Sequence, residues 1–132
     1  MYKQIETGKV KKMKGQISMD NEKNMWDFPV KKEVKFKKAN RVHPLMQLRV
    51  EKLIHSFYKD ENIKKLVLFG SSLEFRCDSY SDIDLYIEKY DREKKLEYVP
   101  ELDCEVDIVT DLPPDSRLYQ EIEDKGLVLF ER

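Results

Sequence analysis

The chain has 132 residues, 39% of them charged and 40% hydrophobic, with two cysteines and two histidines. That length holds one domain with an ordinary core. Apolar runs no longer than the four residues of Leu66-Val67-Leu68-Phe69 exclude a membrane span or a signal-peptide core. Cys77 and Cys104 are too few for a disulfide scaffold or a four-Cys zinc site, and read as reduced thiols of a cytoplasmic protein.

The net charge of −1 is the sum of two unlike parts. Residues 1–41 carry twelve Lys and Arg against five Asp and Glu, a balance of +7, whereas residues 42–132 carry thirteen against twenty-one, a balance of −8. A basic N-terminal arm (1–41) joined to an acidic body predicts an anionic partner, nucleic acid included, or docking on the body itself. The arm's lysines (Lys9, Lys11, Lys12 and Lys14, then Lys31, Lys32, Lys35, Lys37 and Lys38) share the segment with Trp26, Phe28, Val34 and Phe36. These are apolar anchors for which a purely solvated tail has no use. Gly8-Lys9 and Lys14-Gly15 lack the Gly-Lys-Ser/Thr ending of a phosphate-binding P-loop.

From residue 42 the pattern becomes regular. His43-Pro44 predicts a helix start, since proline suits the first helical position. Met46, Val50, Leu53, Ile54 and Phe57 then recur at helical spacing through Tyr58, an apolar stripe that packs on a sheet. Asp60-Glu61-Asn62 breaks the helix, and Ile63 to Phe69 reads as a buried strand ending at Gly70. A second strand, Asp82 to Glu88, alternates Ile83, Leu85 and Ile87 against Asp82, Asp84 and Tyr86. A third, Leu102 to Val109, turns Leu102, Cys104, Val106 and Ile108 inward. Pro113-Pro114 stops it. Asp115 or Ser116 then caps a helix to Lys125 with Leu118 and Ile122 on its apolar side, and Gly126 leads into a short closing strand, Leu127 to Phe130. The expected class is α+β, a small mixed sheet with helices packed mainly on one face.

The chemistry concentrates on the polar faces of the strands. Asp82 and Asp84 lie two residues apart, about 6.6 Å along one face. Paired carboxylates repel, and a hard divalent cation such as Mg²⁺ relieves the repulsion. With Asp107 on an adjacent strand, three carboxylates suffice for two Mg²⁺ ions and in-line phosphoryl transfer, Asp107 also accepting the proton of the attacking hydroxyl. Gly70-Ser71-Ser72, directly after a buried strand, offers backbone amides and hydroxyls to a phosphate, and Arg76 adds a cation. Neither histidine has a second His or Cys at ligand spacing, so both are read as structural or exposed.

The run Phe69-Gly70-Ser71-Ser72-Leu73-Glu74-Phe75-Arg76-Cys77-Asp78-Ser79-Tyr80-Ser81-Asp82-Ile83-Asp84-Leu85 resembles the signature of the DNA polymerase β-like nucleotidyltransferases. It is most similar to the minimal branch, where Gly-Ser is followed after ten residues by Asp-x-Asp. The resemblance covers about residues 42–132 and marks them as a nucleotidyltransferase domain, with the arm outside it. It implies two Mg²⁺ ions and an NTP donor, ATP being the first choice. It further implies transfer of a nucleoside monophosphate to a hydroxyl and release of pyrophosphate. Gly70 and Ser71 would hold the triphosphate together with Ser72, Arg76 and Ser81, and Asp82, Asp84 and Asp107 would bind metal. Phe75, with Glu74 beside it, stands where many relatives have glycine, a bulky and acidic spacer near the nucleotide pocket. The residues after Asp107 leave no room for the acceptor-binding helical domain of larger relatives. The acceptor is therefore expected to be supported by the basic arm, a second copy of the chain or a separate protein; first among these is a partner protein, as with the small helical toxin-like partners of similar minimal nucleotidyltransferases. The alternative is a catalytically weak or inactive nucleotide- or nucleic-acid-binding module using the basic arm.

Overall fold

A computed structural model describes residues 27–132. Trp26 and Lys9, Lys11, Lys12 and Lys14 of the arm lie outside the described residues. A 3-10 turn at Ala39–Arg41 precedes helix α1, Pro44–Tyr58. Strand β1, Ile63–Phe69, runs into a second 3-10 turn, Gly70–Leu73. Strands β2 (Ile83–Lys89) and β3 (Val106–Thr110), helix α2 (Arg117–Lys125) and strand β4 (Leu127–Glu131) complete the order.

α1 starts where Pro44 and the preceding histidine predict. The Nδ1 of His43 accepts from the Leu45 amide at 3.2 Å, satisfying one of the unpaired amides of the first turn. Its apolar stripe buries Met46, Val50, Leu53 and Phe57 completely, each contributing about 1.5–3 kcal/mol by leaving water. α2 is capped by Ser116, whose Oγ accepts from the Tyr119 amide at 3.1 Å. It closes with the Gly126 amide donating to the Ile122 carbonyl at 2.8 Å.

The four strands form one sheet in the order β3-β2-β1-β4. β1 is antiparallel to both β2 and β4, while β2 and β3 are parallel. A parallel neighbour needs a crossover, which the irregular stretch 90–105 supplies. α1 provides the main cover, over Ile63, Leu66, Leu68, Ile83, Leu85 and Ile87. On the opposite face a smaller cluster of Val67, Tyr86 and Ile122 seats α2. Lys65, on β1, fastens it by an ion pair to Glu123 at 3.0 Å. This cover stops short of the Asp82/Asp84 end of β2.

Two local expectations shift. β3 begins at Val106 rather than Leu102, because the register pairs Val106 with Ile83, the first residue of β2. Residues 102–105 therefore have no strand beside them to ladder with, yet Leu102 and Cys104 still pack against the main core. On α2 the inward pair is Ile122 with Tyr119, while Leu118 is exposed. In α1, Gln47 is fully buried although it is polar.

Gln47 explains what the described part of the arm does. Its Nε2 lies within hydrogen-bond distance of the carbonyls of Pro29 (2.9 Å), Ala39 (3.2 Å) and Val42 (2.9 Å). Its Oε1 accepts from the Lys31 amide at 2.9 Å. Residues 27–42 thus form a strap clamped on α1, with Phe28, Val34 and Ala39 buried beneath it. Lys31, Lys32, Lys35, Lys37 and Lys38 remain exposed.

Candidate active site

Asp84 and Asp107 are direct register partners on β2 and β3, and adjacent strands stand about 4.8 Å apart. Asp84 is flanked on its other side by Phe69, the last residue of β1. Asp82 immediately precedes β2 and is exposed, as is Asp107, whereas Asp84 is half-buried. Burial, followed by the charges of Asp107 and then Asp82, raises the Asp84 carboxyl above the ordinary aspartate value. Three carboxylates that share a face therefore feel one another.

Gly70 brings the backbone to this face. Its φ of +83° lies in the left-handed region, and a β-carbon there would overlap the Asp84 Oδ2. Any side chain would fill the space between the end of β1 and the carboxylate. The turn that follows holds itself by the Glu74 amide donating to the Ser71 carbonyl at 2.9 Å. From outside, the His43 amide donates to the Ser72 carbonyl at 2.7 Å.

The remaining residues of the expected site divide. Ser71, next to Gly70 in the turn, is half-buried. Ser72 is fully buried, and its Oγ is a buried side-chain oxygen with no hydrogen-bond partner, so this hydroxyl faces the interior. Ser81 is occupied locally: its Oγ accepts from the Asp78 amide at 3.0 Å and contacts Asp78 Oδ1 at 3.3 Å. That bracket shapes the turn delivering Asp82. Arg76 is largely exposed and ion-paired with Glu74, so its charge is spent within the spacer. Phe75 is exposed as well, but its ring meets Phe28 of the strap edge-on at 5.3 Å. His43 and Phe28 were legible only as a helix start and an apolar anchor; nothing in their spacing announces contact with the turn after β1.

Oxygen-only donors suit a hard divalent cation, and the overlap of a Gly70 β-carbon with Asp84 marks a cradle kept free of side chain. Among the described residues, however, no three His, Cys, Asp or Glu side chains are drawn around a common point. The carboxylates fit such a group in chemistry and face, and are spread rather than preassembled. Two cavities, of about 280 and 470 Å³, lie elsewhere: one is lined by Tyr86, Lys89 and Asp111, the other by Leu45, Arg49 and Asp103.

A family model described as polymerase beta, nucleotidyltransferase matches residues 51–132. The chain belongs to this family. Searches of curated proteins and of solved structures gave no match. The matched span of this nucleotidyltransferase contains Gly70, Ser71 and all three carboxylates. It begins inside α1, so the strap lies outside it. No helix among the described residues is long and apolar enough to cross a membrane.

Proposed function

We propose that this nucleotidyltransferase moves a nucleoside monophosphate, AMP from ATP as first choice, onto a hydroxyl of a partner protein. The observation that carries the reading is the contact of Gly70 with Asp84, which makes the anion-binding turn and the carboxylate face a single site. Gly70 and Ser71 present backbone amides and a hydroxyl to the triphosphate. Asp82, Asp84 and Asp107 would hold Mg²⁺, which when bound supplies positive charge for phosphate oxygens and lowers the cost of ionising the acceptor hydroxyl. Asp107, exposed on its strand, takes the hydroxyl proton. The acceptor oxygen bonds to the α-phosphorus, the α–β phosphoanhydride bond breaks, and pyrophosphate leaves.

The openness of the face supports a macromolecular acceptor. Asp82 and Asp107 are exposed, so the face is accessible to a large acceptor. The −8 balance of residues 42–132 repels a polynucleotide and favours a protein. A helical toxin-like partner is the kind of protein we have in mind.

The test is incubation with Mg²⁺ and α-labelled ATP in a lysate of the source organism, beside Asp84→Asn and a chelated control. Label should enter a protein band only with wild type and metal; absence of labelled protein removes the reading. The exposed lysines of the strap favour one other reading, a binding module without turnover. It wins if pyrophosphate release is identical in wild type and Asp84→Asn while RNA or DNA is still bound.

A further inference from the structure

We propose that the strap, residues 27–42, together with His43 that follows it, is a positioning element for the phosphate-binding turn, acting through Phe28 on Phe75 and through His43 on Ser72. The inference rests on the assignment of that turn to the triphosphate.

The turn's own hydrogen bonding does not fix its position by itself. The turn is four residues long, too short for the cooperative hydrogen bonding of a helix. The spacer that follows, 74–82, has no strand or helix. It is held by local turns, such as the Cys77 amide to the Glu74 carbonyl at 3.2 Å and the Ser81 amide to the Asp78 carbonyl at 3.1 Å. Leu73 and Cys77 seat the segment in the main core, but Phe75 and Arg76 between them are exposed, and local turns alone do not fix that stretch.

The strap reaches the first part of this region at two points, Ser72 and Phe75. The His43 amide takes the Ser72 carbonyl at 2.7 Å. Phe28, only 5% exposed, sets its ring edge-on to Phe75 at 5.3 Å and against His43 at 5.2 Å. One aromatic side chain therefore touches the spacer and the residue that grips the turn.

The strap is rigid enough to transmit position. Gln47 binds it at four backbone points, the Phe28 amide donates to the Asn40 carbonyl, and Lys35 is bonded through its amide to Glu51 of α1. Phe75, bulky where a glycine would leave the spacer free, thus acquires a purpose: it is the handle by which the strap holds the loop. None of these residues reaches the carboxylates, so the effect should fall on phosphate affinity.

The experiment uses the full chain with Mg²⁺ and α,β-methylene-ATP, whose α–β bond cannot be cleaved, in calorimetric titrations of wild type, Phe28→Ala, Phe75→Ala and Phe75→Tyr. Phe75→Ala should weaken binding about fivefold, the size of one edge-to-face aromatic pair, and weaken pyrophosphate binding by the same factor. Phe75→Tyr should restore both, and the Phe28→Ala/Phe75→Ala double variant should lose no more than either single one. Hydrogen exchange at the His43 and Glu74 amides should quicken in Phe28→Ala. Because Phe75 is exposed, its removal leaves folding intact even if Phe28→Ala loosens the strap. Unchanged nucleotide affinity in Phe75→Ala overturns the proposal alone. A wild type that binds neither nucleotide nor pyrophosphate overturns it together with the assignment of the turn.

Discussion

Gly70 packs directly on Asp84: with a β-carbon at position 70, the carboxylate Oδ2 would have to move. The end of β1 and the middle of the acidic face are in van der Waals contact because that residue has no side chain. Its φ of +83° independently excludes most L residues.

Gly70→Ala should therefore fail twice. The left-handed backbone and the overlap together should cost about 1–3 kcal/mol of stability. Displacement of Asp84 should abolish nucleotide transfer even where the variant remains folded. Urea unfolding and label transfer, measured on the same preparation, check this. A fully active, equally stable alanine variant would sink the claim that turn and carboxylate form one site.

Gln47→Leu removes a buried clamp while keeping the side chain's approximate volume. It leaves three strap carbonyls and the Lys31 amide without their side-chain partner. Each buried polar group left unpaired costs roughly 1–3 kcal/mol, and release of the strap into water limits the total to about 3 kcal/mol. The denaturation midpoint should fall accordingly, and proteolysis should begin between residues 29 and 41. Resistance of that segment in the variant would show that Gln47 does not hold it.

These features differ in how far the sequence revealed them. The stripe from Met46 to Phe57 and the alternation of β2 are local, period-driven signals, and the structure follows them closely. Gly-Ser and Asp-x-Asp were readable because their chemistry depends on short spacing. The pairing of Asp84 with Asp107 depends on a parallel register set across a crossover, which no local pattern encodes. No local pattern marks Gln47 for burial, since polar side chains usually stay solvated; only the strap's carbonyls make its burial favourable. In the arm, the described lysines stay exposed, while Phe28 and Val34 are buried in the strap. Ser72 stands next to Ser71 in sequence, but a 3-10 turn sends neighbouring side chains in different directions, and that of Ser72 is buried.

Tyr86 lies on the same sheet face as Asp84 but serves a different end. Its hydroxyl joins Glu88 Oε2 and the Leu112 amide, each at 3.2 Å. Burial, then the Glu88 charge, push its ionisation well above the ordinary tyrosine range. Neighbouring Tyr119 is pushed up to about 12, again chiefly by burial. Tyr86→Phe should cost about 1 kcal/mol, the net worth of such a bond plus an unpaired Leu112 amide, and leave nucleotide binding unaltered. A large loss of nucleotide affinity in that variant would extend the site along β2, contrary to the boundary drawn here.

The raised ionisation of Asp84 makes a signed prediction for the metal-free protein. Its ordinary value is 3.8, and burial with the charges of Asp107 and Asp82 places the folded value higher. Between these two values the folded state binds more protons than the unfolded chain, so stability falls as pH rises through that window. Above the folded value the full cost persists; below 3.8 both states are protonated and the cost vanishes. Asp84→Asn removes it. The metal-free variant should therefore melt above wild type near neutral pH, by no more than about 1 kcal/mol because solvent screens these partly exposed charges. That advantage should shrink toward zero in acid. Mg²⁺ should reverse the order, because only wild type retains the central carboxylate and gains binding energy on folding. Melting curves across pH, with and without Mg²⁺, check both halves. A metal-free variant less stable than wild type at neutral pH would mean that Asp84 is held by favourable contacts rather than crowded by its neighbours.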